Sequence, residues 1–514
     1  LPSRCDQGAI EVCGITGICL LARSKPFNAT LGEILTRSLK LLEYRGYDSV
    51  GVSVIDESDN LVVRKAKGKI DEVSRKLSFC SLDGRVGIGH TRWATHGPPN
   101  DVNAHPHIDC AGRIAVVHNG IIRNYLDLKS MLQKRLHTFR SDTDTEAIVH
   151  LIEELYKSGA EGDFYGAFRK AVQMLHGSYA IAVITAYEPN KIFFAKRESP
   201  LVLGFSKLGN LVASDIPALL EFTNTIMPLN DGEIGWISPS NAYVESLETG
   251  EPVEIKKRTI VVNWKPEMAR KGGYPHYMIK EIYEQPVALK STYEGLLSDD
   301  SAIKASEVLS DAKRIFVTAA GTSYHAGLVT KYFLELLARA PIYTFVSSEY
   351  KHASLLAESG DVLIALSQSG ETIDTLKAIR AFKAKGAKAV AITNVLGSAI
   401  ERESDLTVLT RAGPEIGVAA TKTFTAQMLT GIYIAAHTAF NMGGIDASEL
   451  RHIVAELGRA GKLVGESILS SEEEIKRVSE LTSNAKSVYF LGRGLGHPLA
   501  LEAALKLKEV AYIH

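Results

Sequence analysis

Apolar residues recur at helical spacing over residues 31–42 and 145–158, and that period predicts two amphipathic helices early in the chain. Asp144, followed by Thr145 and Glu146, supplies a helix-start signal for the second. Short apolar or alternating runs at residues 113–118, 179–185 and 191–195 predict strands. Helices and strands segregated in this way predict a layered α+β domain over residues 13–238. Residues 239–302 are more polar, carry Lys256-Lys257-Arg258 and Lys271-Gly272-Gly273, and read as a connector.

From residue 303 the texture changes to strand, Gly- or Ser-rich turn, helix, repeated. Residues 314–318 lead into Gly321-Thr322-Ser323, and residues 361–366 lead into Ser367-Gln368-Ser369-Gly370. This alternation predicts an α/β domain with a parallel sheet over residues 303–445. A second copy is expected to begin with a strand at 487–491 followed by Gly492-Arg493-Gly494. Gly321 and Gly494 stand 173 residues apart, so residues 477–514 read as the opening of a second, related domain that is cut short. The apolar run 426–440 is interrupted by Gln427, Thr430, His437 and Thr438 and is too short to span a bilayer, so it reads as a buried helix.

At 514 residues the chain exceeds what one core supports. Its net charge of −1 recommends neither nucleic acid nor an anionic membrane as partner. Five cysteines, all within the first 110 residues, make a poor disulfide framework and fit a reducing, cytoplasmic setting. Residues 1–12 contain Arg4, Asp6 and Glu11 and no apolar core, so they are not a secretory signal. We expect them to be a leader or untranslated sequence, with Val12 standing for a GTG start; an autocleaved propeptide is the rival explanation. His514 follows a helical run directly, with no stop signal.

Cys13 gives that expectation its chemical weight. A cysteine freed at a chain terminus carries a thiol beside an amine of pKa about 7.7–8.0, which accepts the thiol proton near neutral pH. Hydrolysing the inert side-chain amide of a free amino acid needs such a nucleophile, oxyanion donors, and charged groups for both ends of the molecule. The block Gly89–Gly97 offers Arg92 and two threonine hydroxyls for an α-carboxylate, with Trp93, Thr95 and His96 beside them. Asp144 suits the α-ammonium. His118-Asn119-Gly120 is expected to end a strand in a turn, aiming the Asn119 amide and the Gly120 N–H at an oxyanion.

Cys13-Gly14-Ile15, the run from Glu43 to Ser49, the Thr91–Gly97 block, Asn103-Ala104-His105-Pro106-His107, His118-Asn119-Gly120 and the run from Ser141 to Glu146 are long and ordered motifs. Together they resemble the N-terminal-nucleophile (Ntn) glutaminase domain of the glutamine:fructose-6-phosphate aminotransferases, the glucosamine-6-phosphate synthases. The resemblance extends from residue 13 to 514. It implies an α+β Ntn glutaminase followed by α/β SIS (sugar isomerase) domains with parallel sheets. Its implied activity converts L-glutamine and fructose 6-phosphate to L-glutamate and glucosamine 6-phosphate. Cys13, Asn119 and Gly120 then act on the amide, Arg92, Trp93, Thr95, His96 and Asp144 bind glutamine, and Arg45 supports them. Trp93 becomes the candidate gate of an internal ammonia passage.

Ser323, Ser367, Gln368, Ser369 and Thr372 lie after strands and before helices, where free N–H groups attract phosphate; they resemble the SIS sugar-phosphate loops. In the second copy Gly496 replaces Ser323, so that copy is expected to bind no phosphate. Over residues 498–513, Glu502, Lys506 and Glu509 share one face of an otherwise apolar helix expected to be nearly buried. In the family, the residue matching Glu509 moves protons during isomerisation and Lys506 organises the sugar, with Glu502 in support. No cofactor is expected, and no metal, since the His and Cys spacing shows no ligand pattern. Homodimers or larger assemblies are implied. Two departures stand out: Ala420 replaces a common serine, and the family's ring-opening histidine and Schiff-base lysine lie beyond residue 514, so these residues alone are expected not to complete the synthesis. The competing readings are a glutaminase fused to a sugar-phosphate sensor, and an amidotransferase with another sugar-phosphate acceptor. An amidophosphoribosyltransferase would need paired acids and a Thr/Gly diphosphate loop after a strand, and the chain has neither.

Overall fold

A computed structural model describes residues 13–21, 29–93, 97–159 and 162–514. The chain divides into two compact units, residues 1–266 and 267–514.

In the first unit the strands run β1 (Gly14–Leu20), β2 (Ser49–Ile55), β3 (Leu61–Lys67), β4 (Val86–Arg92), β5 (His107–Ile108), β6 (Ile114–Ile122) and β7 (Gly177–Thr185). They continue as β8 (Ile192–Arg197), β9 (Val202–Ser206), β10 (Gly209–Ala213), β11 (Thr225–Pro228), β12 (Glu233–Ile237), β13 (Ala242–Ser246) and β14 (Ile260–Val261). Two antiparallel sheets result, ordered β14-β11-β9-β10-β1-β4-β2-β3 and β13-β12-β8-β7-β6-β5. Alternate residues sort the layers, because strand side chains point to opposite faces. Ala115, Val117, Ala180, Ala182 and Phe194 pack with Ile15, Ile88 and Val212 between the sheets. Ile114, Val116, Ile181, Val183 and Phe193 pack outward on the helices Thr145–Gly159 and Phe164–Gln173. The helix Leu31–Lys40 covers the other sheet. It is opened by a capping box between Thr30 and Glu33, and Gly87 and Gly89 let Leu35 and Leu39 come close to β4. The order is helix, sheet, sheet, helix.

The second unit holds a five-stranded parallel sheet: β15 (Ile315–Ala319), β16 (Ile342–Val346), β17 (Val362–Ser367), β18 (Lys388–Thr393) and β19 (Leu406–Leu409). Its order is β16-β15-β17-β18-β19, and every neighbouring pair is parallel. The order in which successive strands are added reverses between β15 and β17, the place where such sheets open a crevice at the strands' carboxyl ends. The apolar run 426–440 lies within the helix Lys422–Asn441, buried over most of its length. No helix among the described residues is long and apolar enough to cross a membrane.

Three expectations change. The segment 239–302 is not a plain connector: β13 and β14 complete the first unit's sheets, and Tyr277–Ser298 is a 22-residue helix of the second. Its polar composition reflects edge strands and a half-exposed helix, which need few apolar residues. Residues 487–491 form no strand, because no other strand lies beside them to complete a ladder; Tyr489 and Leu491 are about nine-tenths exposed. The final helix, Gly496–Ala511, is largely exposed rather than nearly buried, since it packs against the helix Gly321–Phe333 along one side only.

Candidate active site

Cys13 is buried at the start of β1. Its Sγ accepts the Trp93 N–H at 3.3 Å and lies 3.5 Å from the Trp93 carbonyl oxygen. β1 and β4 pair antiparallel with Gly14 opposite Thr91, which fixes this approach. The Cys13 carbonyl accepts from Asn119 Nδ2 at 2.8 Å and from Arg45 Nε at 3.1 Å. Asp215 in turn holds Arg45 at 3.0 Å and accepts the Tyr44 hydroxyl at 2.5 Å. Neither Asp215 nor Tyr44 was singled out from sequence; the run Glu43–Ser49 held the only signal.

His118-Asn119-Gly120 does not end a strand in a turn. These residues sit inside β6, paired with β7 as Asn119 to Ala180 and Gly120 to Tyr179. The Asn-Gly pair suggests a hairpin because glycine accepts positive φ. Here that freedom is used within the strand: Gly120 has φ of 131°, and a Cβ there would stand 2.2 Å from the Ser178 carbonyl oxygen. The distortion carries the Asn119 amide to Cys13. One Nδ2 hydrogen serves the Cys13 carbonyl, which leaves the second to donate. Asn119 Oδ1 is fixed by His90 Nε2 at 3.0 Å, and burial pushes the His90 pKa down to about 3, so the ring is neutral.

Arg92, the last residue of β4, is buried; burial lowers its pKa while Cys13, Asp144 and Asp48 act to raise it. It therefore lies in the field of both the Cys13 thiol and the Asp144 carboxylate. Asp144 is buried just before the helix Thr145–Gly159, and its Oδ2 accepts the Ile122 N–H at 2.8 Å. The Trp93 indole meets Tyr47 edge to face at 5.2 Å. Thr91 turns its hydroxyl to the Leu42 carbonyl at 3.4 Å, away from the carboxylate role expected for that hydroxyl. Thr95 and His96 lie outside the described residues.

In the second unit, the loops after β15 and β17 flank the crevice. Ser323 is buried in the first turn of the helix Gly321–Phe333, and Ser367 ends β17. Ser367 Oγ lies 2.9 Å from Thr372 Oγ1 and accepts the Gly370 N–H at 3.1 Å, and Ser369 Oγ accepts the Glu371 N–H at 3.2 Å. Thr372 is the residue before the helix Ile373–Lys383, and the Gln368 carbonyl accepts the Asn394 N–H. Glu502 takes the Thr322 hydroxyl at 3.0 Å and His325 Nδ1 at 2.7 Å, which brings the final helix to the same loop as Ser323. Lys506 reaches Glu509 at 2.5 Å and Glu502 at 3.5 Å. The segment 413–422 is anchored by two acids of the helix Tyr277–Ser298, which the connector reading passed over. Buried Glu281 accepts the Ile416 and Gly417 N–H groups, and Glu284 pairs with Lys422 at 2.8 Å. Burial and the nearby Glu415 push the Glu281 pKa up to about 7.

The expectation that the His and Cys residues form no ligand set also changes: Cys110, His137, His150 and Glu153 converge. Linear spacing hid them because three separate elements supply them.

Residues 90–221 match the family described as glutamine amidotransferase domain, and residues 308–436 match the SIS domain family. A glutamine–fructose-6-phosphate aminotransferase (isomerizing) of Aeropyrum pernix is 48% identical over 509 residues, covering 98% of this chain and 81% of the relative. That of Pyrobaculum aerophilum is 49% identical over 506 residues, with the same coverage, and that of Aquifex aeolicus is 46% identical over 503 residues, again covering 98% and 81%. With a cysteine held against Trp93 in one unit and a serine-bearing loop after β17 in the other, the chain belongs to the glutamine–fructose-6-phosphate aminotransferase (isomerizing) family.

Proposed function

We propose that the protein transfers the amide nitrogen of L-glutamine to fructose 6-phosphate, giving glucosamine 6-phosphate and L-glutamate. The observation that carries this reading is the convergence on Cys13 of Trp93, Asn119 and Arg45, with Arg92 and Asp144 in the same electrostatic field. Once residue 13 is the terminus, its amine takes the thiol proton and the thiolate attacks the glutamine carboxamide. The tetrahedral oxyanion is met by the free Asn119 N–H and the Gly120 N–H. As the intermediate collapses the amine hands its proton to the leaving nitrogen, so ammonia departs and a thioester remains; the amine then takes a proton from the attacking water and passes it to the sulfur, which releases glutamate and restores the thiol. Arg92 takes the α-carboxylate and Asp144 the α-ammonium; Trp93, Thr95 and His96 complete that pocket.

On the acceptor side, Ser323, Ser367, Gln368, Ser369 and Thr372 hold the phosphate. Supporting this, both loops open helices at the strand-order reversal, where backbone N–H groups and the helix dipole favour an anion. Glu509 moves the isomerisation proton and Lys506 orients the sugar, with Glu502 as the buried anchor of their helix. We place the boundaries at 13–266 for the glutaminase and 267–445 for the first SIS domain, with residues 477–514 belonging to a second. The reading includes a homodimer or larger assembly and a cytoplasmic setting.

The test supplies the native full-length protein with glutamine and fructose 6-phosphate and measures both products. Equal amounts of glutamate and glucosamine 6-phosphate are expected. Glutamate without amino sugar would favour the sensor or another acceptor.

A further inference from the structure

Away from Cys13, four potential ligands meet in the outer layer of the first unit. Cys110 lies in the turn after β5, and His137 in the turn after the helix Tyr125–Lys134. His150 and Glu153 stand one turn apart on the helix Thr145–Gly159. One atom from each points inward. Cys110 Sγ is 3.7 Å from His137 Nδ1 and 3.6 Å from His150 Nδ1. Glu153 Oε2 is 3.2 Å from His137 Nδ1 and 3.4 Å from His150 Nδ1.

These separations have a specific meaning. Zinc binds thiolate at about 2.3 Å, imidazole at about 2.0–2.1 Å and carboxylate at about 2.0–2.2 Å, so a tetrahedron has S to N edges of about 3.6 Å and N to O edges of about 3.3 Å. The two S to N and two N to O separations match those edges, and all four atoms lie within 4.8 Å of one another. Their surroundings match as well. Behind His137, Glu154 Oε2 is 3.1 Å from Nε2; behind His150, Glu146 Oε1 is 3.7 Å from Nε2. The Glu154 contact is a hydrogen bond that fixes the His137 tautomer presenting Nδ1 to a metal, whereas Glu146 faces His150 Nε2 from beyond hydrogen-bond reach. Lys157 holds Glu153 Oε1 at 2.5 Å, and Glu153 Oε2, which accepts the Cys110 backbone N–H at 3.0 Å, faces the cluster. His137, His150 and Glu153 are buried while Cys110 is exposed, so the site has a route for an ion.

We propose that Cys110, His137, His150 and Glu153 bind a zinc ion. One sulfur, two imidazoles and one carboxylate in a tetrahedral set suit zinc better than magnesium or calcium, which prefer octahedral or larger shells of oxygen. A thiolate and a carboxylate also balance the charge of a divalent cation. With all four positions filled by protein the site is structural, tying two turns to the helix that begins beside Asp144. It takes no part in the amide chemistry.

The test uses the whole chain, produced with zinc and dialysed against metal-free buffer. Elemental analysis is expected to find one zinc per chain, and replacement by cobalt to give a sulfur-to-cobalt charge-transfer band. Cys110→Ser, at an exposed position, should lose both the band and the bound zinc. Glu154→Gln should weaken zinc binding by about 10–100-fold, as loss of an outer carboxylate does. A wild-type chain that keeps neither metal would overturn the proposal. So would a cobalt band that survives Cys110→Ser, since the sulfur would then be another, such as Cys13.

Discussion

At the scale of the residue, the peptide carbonyl of Cys13 is held by two side chains from elsewhere in the fold, Asn119 and Arg45. Asn119→Ala removes one holder and one oxyanion donor together, and glutamate release should fall by about 10²–10³-fold, read from initial rates. Gly120→Ala should not give a native first unit, because positive φ and the Ser178 carbonyl both forbid a Cβ; loss of the folded state on a urea gradient checks this. Cys13, Arg92, Asn119 and Asp144 stand out as candidates in the sequence because each residue type suggests its own chemistry. Asp215, Tyr44, His90 and Glu281 do not. Their value lies in partners such as Arg45, 170 residues from Asp215, and no local pattern encodes such a pairing.

At the scale of the element, the strands and amphipathic helices were readable from periodicity, since a two-residue alternation or a 3.6-residue stripe survives in any context. What failed depended on neighbours. Asn119-Gly120 carries a turn signature, yet pairing with β7 holds it in a strand. Residues 487–491 have strand composition and no ladder to join. The final helix shows the same dependence, because Glu502 bonds it to Thr322 and His325. Glu502→Ala should cost about 1–3 kcal/mol of that docking. Hydrogen exchange should then quicken across residues 496–511 while β6 keeps its protection.

At the scale of the whole molecule, the two units should answer pH with opposite sign. His90 has its pKa lowered by burial from 6.5 to about 3, so the unfolded chain binds the extra proton between those values. Its contribution is present above pH 6.5 and is lost as pH falls toward 3, at about 1.4 kcal/mol per pH unit. Glu281 has its pKa raised by burial from 4.5 to about 7, so its contribution is present below 4.5 and is lost as pH rises toward 7. Trp93, Trp236 and Trp264 all lie in the first unit, so tryptophan fluorescence reports that unit in urea. Its midpoint should fall on acidification, and Glu281→Gln should flatten the opposite trend of the second unit, read by circular dichroism.

The proposed chemistry on glutamine runs through one sulfur, which makes its reactivity the most direct measurement. A chain beginning at Cys13 is treated with an electrophilic glutamine analogue, the modified peptide is identified by mass, and residual glutamate production is assayed. The account predicts a single label on Cys13 and a loss of roughly a thousandfold or more, matched by Cys13→Ala. Glutamate release that persists with Cys13 fully labelled would contradict it.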